Sequence, residues 1–499
     1  MNYQSTRNKD MSVSSAMAIK TGISPDGGLF VPSENVSISL EEIEKISKYE
    51  YTHLASYILG KFLTDYTEEE LNDCVINAYT MEKFETDTIA PVYKLNDSAY
   101  ILELWHGPTC AFKDMALQIL PHFLTKAIEK TGEKKEVVIL VATSGDTGKA
   151  ALEGFKNVKG TKIEVFYPNN GVSKIQKLQM ATQEGDNVCV VAVNGNFDDA
   201  QTGVKKIFTD DAYIKELDGK GYMLSSANSI NWGRLVPQIV YYFSAYCSML
   251  KNGEIKLGDK INICVPTGNF GNILAAFYAK TMGLPVGKLI CASNKNNVLT
   301  DFINTGVYDK NRKFETTVSP SMDILISSNL ERFLFLVSNR NDELVRSYME
   351  SLKNDGKYEV TDEIKKIITD TFYGGFCSDD DTLATIKAIK DKYDYLVDTH
   401  TAVGCNIYEQ YVKETGDNAK TVIASTASPF KFNESVLTAL GYKDKIGSSD
   451  EFELLDCLSE ISGMRVPKSL GELKNKFVRF NSVCEKEEMQ LSTNEFLNI

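Results

Sequence analysis

Hydrophobic positions change their spacing near residue 85 of the chain. Before that point, apolar residues recur at helical spacing over residues 40–46 and 68–79, and a turn rich in glycine lies at residues 24–28. From Tyr93 onward, short apolar runs alternate with amphipathic stretches of helical spacing. The pattern therefore predicts a small N-terminal domain over residues 1–85 and a larger α/β region over residues 86–499.

The apolar runs after residue 93 have the length of β-strands. We predict strands at residues 137–141, 162–167, 187–193, 261–265, 288–292 and 421–425, and helices at residues 148–157, 173–182, 198–209 and 272–282. This alternation is typical of parallel sheets flanked by helices on both faces, in which ligands bind beyond the carboxyl ends of the strands. Residues 295–400 show no clear pattern, and we expect them to hold insertions around the sheets.

Composition narrows the possible partners. A chain of 499 residues is long enough for roughly two or three domains, and its net charge of -14 argues against a nucleic-acid partner. An acidic protein can still bind a phosphorylated small molecule at a local cationic site. No apolar run has the length to span a bilayer, and residues 1–20 have no signal-peptide core.

The cysteines and histidines indicate a reducing compartment and no metal site. The ten cysteines are scattered and include no C-x-x-C pair, and the chain has only four histidines. Reduced thiols in the cytoplasm are therefore expected. We predict a cytoplasmic protein that has no metal, membrane or nucleic-acid partner.

Lys113 is the first candidate for catalysis. It follows a turn that contains Gly107 and Pro108, lies between Phe112 and Asp114, and precedes a run of helical spacing. At the start of a helix, the dipole favours the neutral, nucleophilic amine that a Schiff-base lysine needs. A surface lysine at a helix start is the alternative interpretation, and this segment alone does not decide between the two.

A polar turn follows the predicted strand at residues 137–141. It offers hydroxyl groups and free N–H groups at the start of a helix, an arrangement that suits a carboxylate or a phosphate. The turn is not a nucleotide P-loop, because Thr143 stands at the first glycine position and Ala150 replaces the magnesium-binding hydroxyl. An ordinary helix-capping turn explains one of these hydroxyl groups but not the whole cluster.

Two further turns follow later strands. In residues 266–272, Gly268 and Gly271 let backbone amides converge on an anion at a helix start, and the spacing is not the NAD fingerprint. In residues 425–429, a hydroxyl group such as that of Thr426 can hydrogen-bond a heterocyclic nitrogen. An ordinary capping turn explains this third segment equally well.

Together these features favour pyridoxal phosphate on a parallel α/β scaffold. They are a lysine, a strand-end turn for a carboxylate, a second turn for a cofactor phosphate and a later hydroxyl group. Their order is that of the fold-type II pyridoxal-phosphate enzymes, the group that includes tryptophan synthase β, and the chain resembles that group.

Further motifs resemble the threonine synthases of the long type shared by fungi and many bacteria. The resemblance extends from residue 3 to about residue 433. The matching segments are residues 3–7, 25–29, 106–114, 144–148, 227–231 with Arg234 following, 268–272 and 319–324. The segment at residues 426–432 departs from the family pattern, with Ser428 in place of a histidine and Phe430 in place of an alanine.

The resemblance implies roles for particular residues. Lys113 would carry the cofactor through its amine and act as the catalytic base, and Phe112 would lie near the cofactor ring. The cofactor phosphate would be held by Gly268, Asn269, Phe270, Gly271 and Asn272. Thr426 would face the pyridine nitrogen. The substrate side would be formed by Ser144, Asp146, Thr147, Asn228, Ser229, Asn231 and Arg234. A structural ion pair remains an equally good interpretation of Arg234.

The activity that the resemblance implies is a lyase reaction of amino-acid biosynthesis. O-phospho-L-homoserine and water would give L-threonine and phosphate, by γ-elimination followed by addition of water at the β-carbon. The protein would be a monomer or a homodimer. Another fold-type II activity, such as a serine or threonine dehydratase, and a catalytically silent relative that binds phosphorylated metabolites remain alternatives.

Overall fold

The N-terminal part of the chain forms a small antiparallel sheet backed by helices. The computed structural model describes residues 1–86, 88–143, 145–170 and 172–499. The sheet has the strand order β2-β1-β3. The elements are β1 (Tyr3–Ser5), β2 (Asn8–Val13), α1 (Ser15–Thr21), β3 (Phe30–Pro32), α2 (Leu40–Ile46), α3 (Tyr51–Phe62) and α4 (Glu68–Ala78).

Two of these helices begin where the sequence supplies a complete capping box. Ser39 and Glu42 cap α2, and Thr67 and Glu70 cap α4, so that side chains satisfy the free N–H groups of each first turn. Both helices lie within a residue of their predicted positions. The amphipathic helix α3 was not predicted.

The middle of the chain alternates strands and helices. The elements are β4 (Val92–Lys94), β5 (Ala99–Glu103), α5 (Asp114–Leu117), α6 (Leu120–Lys130), β6 (Glu136–Ala142), α7 (Asp146–Phe155), β7 (Thr161–Pro168), α8 (Lys174–Ala181), β8 (Val188–Asn194), α9 (Phe197–Thr209), α10 (Asp211–Gly219), β9 (Tyr222–Ser225) and α11 (Trp232–Lys251).

The second half continues the alternation and adds a helical C-terminal part. The elements are β10 (Ile261–Pro266), α12 (Gly271–Thr281), β11 (Val286–Ser293), α13 (Val298–Thr305), β12 (Val307–Asp309), α14 (Leu330–Val337), α15 (Asp342–Asn354), β13 (Lys357–Glu359), α16 (Asp362–Thr371), β14 (Phe372–Phe376), α17 (Asp379–Tyr393), α18 (Thr399–Thr415), β15 (Thr421–Ser425), α19 (Asn433–Ala439), α20 (Glu451–Ser462), α21 (Lys468–Gly471), β16 (Val483–Glu485) and α22 (Met489–Leu497). Short 3₁₀ turns include Pro320–Met322 and Pro429–Phe432.

The α/β region contains two larger sheets. One has five parallel strands in the order β16-β8-β7-β6-β9, and the other has six strands in the order β14-β11-β10-β15-β5-β4. All pairs in the second sheet are parallel except that between β4 and β5 at its edge. The prediction of parallel sheets flanked by helices is confirmed.

Residues 295–400 are more than insertions. They include helices α13 to α17 and the small β12–β13 pair, and they also supply β14, which pairs with β11 as the edge strand of the six-stranded sheet. The expectation of insertions is therefore only partly right. β14 has the sequence FYGGF, whose paired glycines weaken the apolar strand pattern.

The buried helix α11 joins the N-terminal part to the rest of the protein. Its first residue, Trp232, is fully buried and its ring lies 5.5 Å from that of Tyr3, 5.7 Å from Phe62 and 5.5 Å from Tyr278. The hydrophobic core is therefore continuous from the N-terminal sheet into the α/β region. A domain boundary near residue 85 stays a prediction.

A buried carboxyl group lies between the five-stranded sheet and the C-terminal helix. Glu164 on β7 accepts a hydrogen bond from Ser492 Oγ on α22 at 2.8 Å, and its Oε2 has no partner among the described residues. Burial raises the pKa of Glu164 to about 7. Because the folded protein holds this proton more tightly than the unfolded chain does, the carboxyl group stabilises the fold below pH 4.5 and loses that contribution as the pH rises through 7.

Replacement of Glu164 by Gln is expected to stabilise the protein in alkaline buffer. The amide mimics the protonated acid, so E164Q avoids a cost on the order of 3 kcal/mol at pH 8 and a much smaller one at pH 5. Thermal unfolding at both pH values measures the difference. The exposed Glu409 on α18 provides the matched control, since E409Q is expected to change neither value. An equal gain at pH 5 and pH 8 would contradict the assignment.

Candidate active site

Lys113 lies at the start of α5 in a mostly buried position. Its side chain is 11% exposed, and its Nζ lies 3.6 Å from Asp146 Oδ2 and 4.9 Å from the centre of the Phe112 ring. Burial lowers the pKa of Lys113, Asp146 opposes that shift, and the positive charges of Lys431 and Arg234 add to it. Since α5 has only 4 residues, burial rather than the predicted helix dipole is the main cause. The amine is thus set up to act as a nucleophile or a base.

A second lysine, Lys431, reaches the same carboxylate. It lies in the 3₁₀ turn after β15, and its fully buried Nζ is 2.6 Å from Asp146 Oδ1 and donates to the carbonyl of Thr109 at 2.9 Å. Burial works against ionisation of Asp146, but Lys431 and Lys113 outweigh it and hold the pKa of Asp146 below its usual range. Asp146 is therefore a carboxylate that joins two amines. Lys431 was not predicted as a site residue.

A glycine in an unusual conformation lets Asp146 take this position. Gly145 precedes α7 with a φ of 135°, and a Cβ there would lie 2.5 Å from the Gln176 side chain. Gln176 donates to Asp146 Oδ1 at 2.9 Å, and Ser321 Oγ donates to Oδ2 at 3.3 Å. Thr143 Oγ1 closes the turn by accepting from the N–H groups of Gly145 and Gly148, each at 2.9 Å. The predicted polar turn is therefore present at the strand end.

The other predicted residues of this turn are less informative. Thr147 is half-buried in the first turn of α7. Ser144 lies outside the described residues. Their roles toward a substrate stay predictions.

The loop after β10 has the shape of an anion-binding site. Phe270 has a φ of 61°, and no side chain from the described ranges caps the helix α12 that begins at Gly271. A Cβ on Gly271 would make only an ordinary contact, 3.5 Å from Asn329 Nδ2. The free first-turn N–H groups and the small residue at the helix start fit a phosphate group.

Neighbouring side chains fix the loop from behind. Ser327 Oγ donates to the Gly268 carbonyl at 2.7 Å, and Asn329 donates to the Asn269 carbonyl through both its N–H at 3.1 Å and its Nδ2 at 3.0 Å. Asn272 Oδ1 accepts from the hydroxyl of Tyr241 at 2.9 Å, while its buried Nδ2 has no partner in the described structure. The loop carbonyls are thus engaged, and this amide is left as a donor.

Thr426 lies beside the reactive lysine. Its carbonyl accepts from the N–H of Phe112 at 2.8 Å, and Ala427 forms a bridge with Ala111. The segment that carries Lys113 is therefore attached to the end of β15. This contact brings Thr426 close to the segment that carries Lys113, and the role of Thr426 toward a pyridine nitrogen stays a prediction.

Arg234 is buried without an acid partner. It is 4% exposed, its Nη1 donates to the Ala227 carbonyl at 2.9 Å, and its Nε has no partner within the described residues. The alternative of a structural ion pair receives no support from the described carboxylates, none of which forms a salt bridge with it. Burial lowers the pKa of Arg234 to about 10, so a bound anion would relieve an uncompensated charge.

Asn231 has a structural function of its own. Its Oδ1 accepts from the N–H of Gly233 at 2.9 Å and caps α11, while its Nδ2 donates to the carbonyls of Ile19 and Ser226, each at 3.0 Å. Asn228 and Ser229 are half-buried in the preceding turn. Contacts of these three residues with a substrate stay predictions.

Three family models match consecutive parts of the chain. The model described as "Threonine synthase N terminus" matches residues 2–79, "Pyridoxal-phosphate dependent enzyme" matches residues 87–427, and "Threonine synthase, C-terminal" matches residues 401–488. The matches therefore include the N-terminal sheet, both large sheets and most of the C-terminal helices.

Individual relatives agree with the family models. The chain is 41% identical over 437 residues to human "Threonine synthase-like 1", with 86% of this chain and 58% of that protein covered. It is 38% identical over 440 residues to the threonine synthase of Pseudomonas aeruginosa, with 87% and 90% covered. The chain thus spans 58% of the human relative's length and nearly all of the bacterial one.

Solved structures show the same fold over the full chain. The pyridoxal-phosphate-bound threonine synthase from Brucella melitensis superposes with a TM-score of 0.87 at 34% identity, covering 100% of this chain and 99% of that one. The yeast threonine synthase gives a TM-score of 0.88 at 33% identity, with the same coverage. The chain belongs to the threonine synthase family of pyridoxal-phosphate-dependent enzymes.

Proposed function

We propose that this protein is a threonine synthase, a pyridoxal-phosphate-dependent lyase that converts O-phospho-L-homoserine and water to L-threonine and phosphate. The single observation that carries the proposal is the pairing of Lys113 with Asp146 at 3.6 Å, with Ser321 hydrogen-bonded to Asp146 and packed against Gly268 of the loop at residues 268–272. The family matches at both ends of the chain support this reaction over other chemistries of the fold.

The residues present fit pyridoxal phosphate. The Lys113 amine would attach the cofactor, the N–H groups of residues 268–272 would hold its phosphate, and Thr426 would face its pyridine nitrogen. When bound, the cofactor withdraws electrons from the substrate carbon that loses a proton. Phe112, whose ring already lies beside Lys113 Nζ, would lie near the cofactor ring.

Lys113 is suited to take a proton and to return it. Burial favours the neutral amine that accepts a proton, and Asp146 provides a carboxylate next to the ammonium group that results. Lys431 lies 2.6 Å from Asp146 and favours the charged form of this carboxyl group by lowering its pKa. A proton held at Lys113 Nζ therefore has the Asp146 carboxylate beside it, while the cluster with Lys431 carries one excess positive charge.

Arg234 is our candidate for the phosphate group of the substrate. Its buried guanidinium group carries a free Nε, and a planar guanidinium group binds phosphate oxygens well. Asp146, Thr147, Asn228, Ser229 and Asn231 belong to the same proposal as substrate-side residues.

The partner expected from this proposal is a small molecule. No helix within the described ranges has the length and apolar character to cross a membrane. A cytoplasmic location and a monomeric or homodimeric state stay predictions.

The proposal is tested by following two products in one tube. The purified protein with pyridoxal phosphate and O-phospho-L-homoserine should release phosphate and L-threonine in equal amounts. Phosphate accompanied by 2-oxobutyrate instead of threonine would indicate an eliminating enzyme related to the dehydratases. Bound cofactor without phosphate release would leave the cofactor correct and the substrate wrong.

Replacement of Lys113 by Ala is expected to abolish turnover. Loss of the amine removes both the attachment point and the base, so kcat should fall by on the order of 10³-fold or more, together with the visible absorbance of the lysine-bound cofactor. Lys126→Ala, which removes a lysine paired with Asp73 on the outer face of α6, should leave both unchanged. Retention of the absorbance in K113A would move the attachment point to another residue.

Replacement of Gly271 by Val is expected to weaken cofactor binding more than folding. The Cβ makes only an ordinary contact with the protein, and we expect the branches of Val to obstruct a group bound at the loop, with a loss of affinity on the order of tenfold. Titration with pyridoxal phosphate and thermal unfolding measure the two effects. G60V in α3, where a Cβ would lie 3.6 Å from Leu71, is the control for a β-branched residue in a helix. Equal affinities for the wild type and G271V would place the phosphate elsewhere.

A further inference from the structure

Arg332 is among the largest fully buried side chains of the protein. It lies in the first turn of α14, and no acidic side chain in the described part of the chain forms a salt bridge with it. Burial lowers its pKa to about 10. A buried guanidinium group without a carboxylate destabilises a fold unless hydrogen bonds compensate for its lost hydration.

Its hydrogen bonds go to three separate parts of the chain. Nε donates to the Phe30 carbonyl on β3 at 2.9 Å, Nη2 donates to the Ile230 carbonyl in the turn before α11 at 2.5 Å, and Nη1 donates to Asn329 Oδ1 at 2.5 Å. One planar guanidinium group thus links the N-terminal sheet, the turn at residues 228–231 and the start of α14.

The bond to Asn329 extends this connection to the anion-binding loop. The Asn329 side chain accepts from Arg332 with its oxygen, so its Nδ2 is turned toward Asn269, whose carbonyl it reaches at 3.0 Å. The backbone N–H of Asn329 donates to the same carbonyl at 3.1 Å. Orientation of this amide by Arg332 therefore helps to fix the backbone that presents the loop N–H groups.

Glu331, the residue before Arg332 in the chain, is also bound by the N-terminal part. Glu331 accepts from Thr6 Oγ1 at 2.6 Å and from Arg7 through Nε at 2.9 Å and Nη2 at 2.8 Å. The first turn of α14 is consequently bound by the turn between β1 and β2 and by β3, and Asn329 just before it binds the loop.

We propose that Arg332 is a positioning residue that couples docking of the N-terminal sheet to the binding of the cofactor phosphate by residues 268–272. It does not touch the phosphate site itself and acts through Asn329. The inference rests on the proposed function only in assigning this loop to pyridoxal phosphate, and it does not depend on which amino-acid substrate is used.

Arg340 provides a matched control at the same junction. Its Nη1 donates to the Pro32 carbonyl at 2.7 Å and to Gln4 Oε1 at 3.1 Å, and its Nη2 donates to Asn35 Oδ1 at 3.2 Å. Both arginines therefore bind the backbone of β3, but all three of these Arg340 partners lie in the N-terminal part. R340K and R332K each keep a positive charge but lose the planar guanidinium group. Both substitutions should therefore weaken the docking of β3 to a similar degree.

The test measures binding of two ligands to the purified full-length protein without substrate. Pyridoxal phosphate and pyridoxal, which lacks the phosphate, are titrated into wild type, R332K, R340K, N329A and the double variant R332K/N329A. We expect R332K to raise the dissociation constant of pyridoxal phosphate by about tenfold or more, the loss typical of one hydrogen bond in a buried charged network. Pyridoxal binding should change less than twofold, because it makes no use of the loop.

The double variant separates positioning from general destabilisation. If Arg332 acts through Asn329, R332K/N329A should bind pyridoxal phosphate no more weakly than N329A alone. The proposal would be overturned by additive losses of pyridoxal-phosphate affinity in the double variant or by an equal loss of this affinity in R340K. An equal loss of pyridoxal affinity in R332K would also overturn it. If R332K does not fold, N329A is compared with R340K instead. Similar affinities of these two variants for pyridoxal phosphate would overturn the proposal.

The same titration separates this proposal from the proposed function. If the wild type binds pyridoxal phosphate tightly but forms no threonine, the proposed reaction is contradicted. The measured dissociation constants still decide the role of Arg332 in that case. A wild type that binds pyridoxal and pyridoxal phosphate equally would overturn the role of the loop, and with it the role of Arg332.

Discussion

The site depends on one buried carboxylate that is shared by two amines. A charged group is costly to bury alone, and Asp146 is held ionised because Lys431 and Lys113 lie on either side of it. The three residues come from α7, from the turn before α5 and from the turn after β15, so the cluster joins segments that follow interior strands of both large sheets. With both lysines protonated the cluster carries one excess positive charge, which disappears when Lys113 loses its proton.

Charge is distributed unevenly between the interior and the surface. The chain has a net charge of -14, yet the described interior around the site holds Lys431, Arg234 and Arg332, with Asp146 as the carboxylate that directly contacts the reactive lysine. These buried cations give the site local positive charge within an acidic protein, which suits the binding of a phosphate group.

Much of the fold could be predicted because most strands of the two large sheets are predominantly apolar and several helices begin at clear caps. β6, β7, β8, β10, β11 and β15 all lie within two residues of their predicted positions. α11 was missed because it is buried on nearly all sides and so lacks an amphipathic pattern. β16 was missed because it is only 3 residues long and mostly exposed.

The site was predictable where a motif lies in a turn at a strand end. Lys113, the turn before α7 and the loop at residues 268–272 have that form. Lys431 was overlooked, although it lies in the segment at residues 426–432 that was compared with the family pattern. Arg332 and Gln176 gave no comparable signal, since their importance arises from contacts between segments far apart in the sequence.

The parallel pairing of β16 with β8 has a consequence for how the protein is made. The five-stranded sheet is built from residues 136–225, but its edge is closed by residues 483–485 and covered by α22 at the very end of the chain. During synthesis, one edge of β8 remains unpaired while the residues between β9 and β16, about 250 of them, emerge from the ribosome. Closure over so long a separation is slow, so the five-stranded sheet is completed only after every strand of the six-stranded sheet has been synthesised.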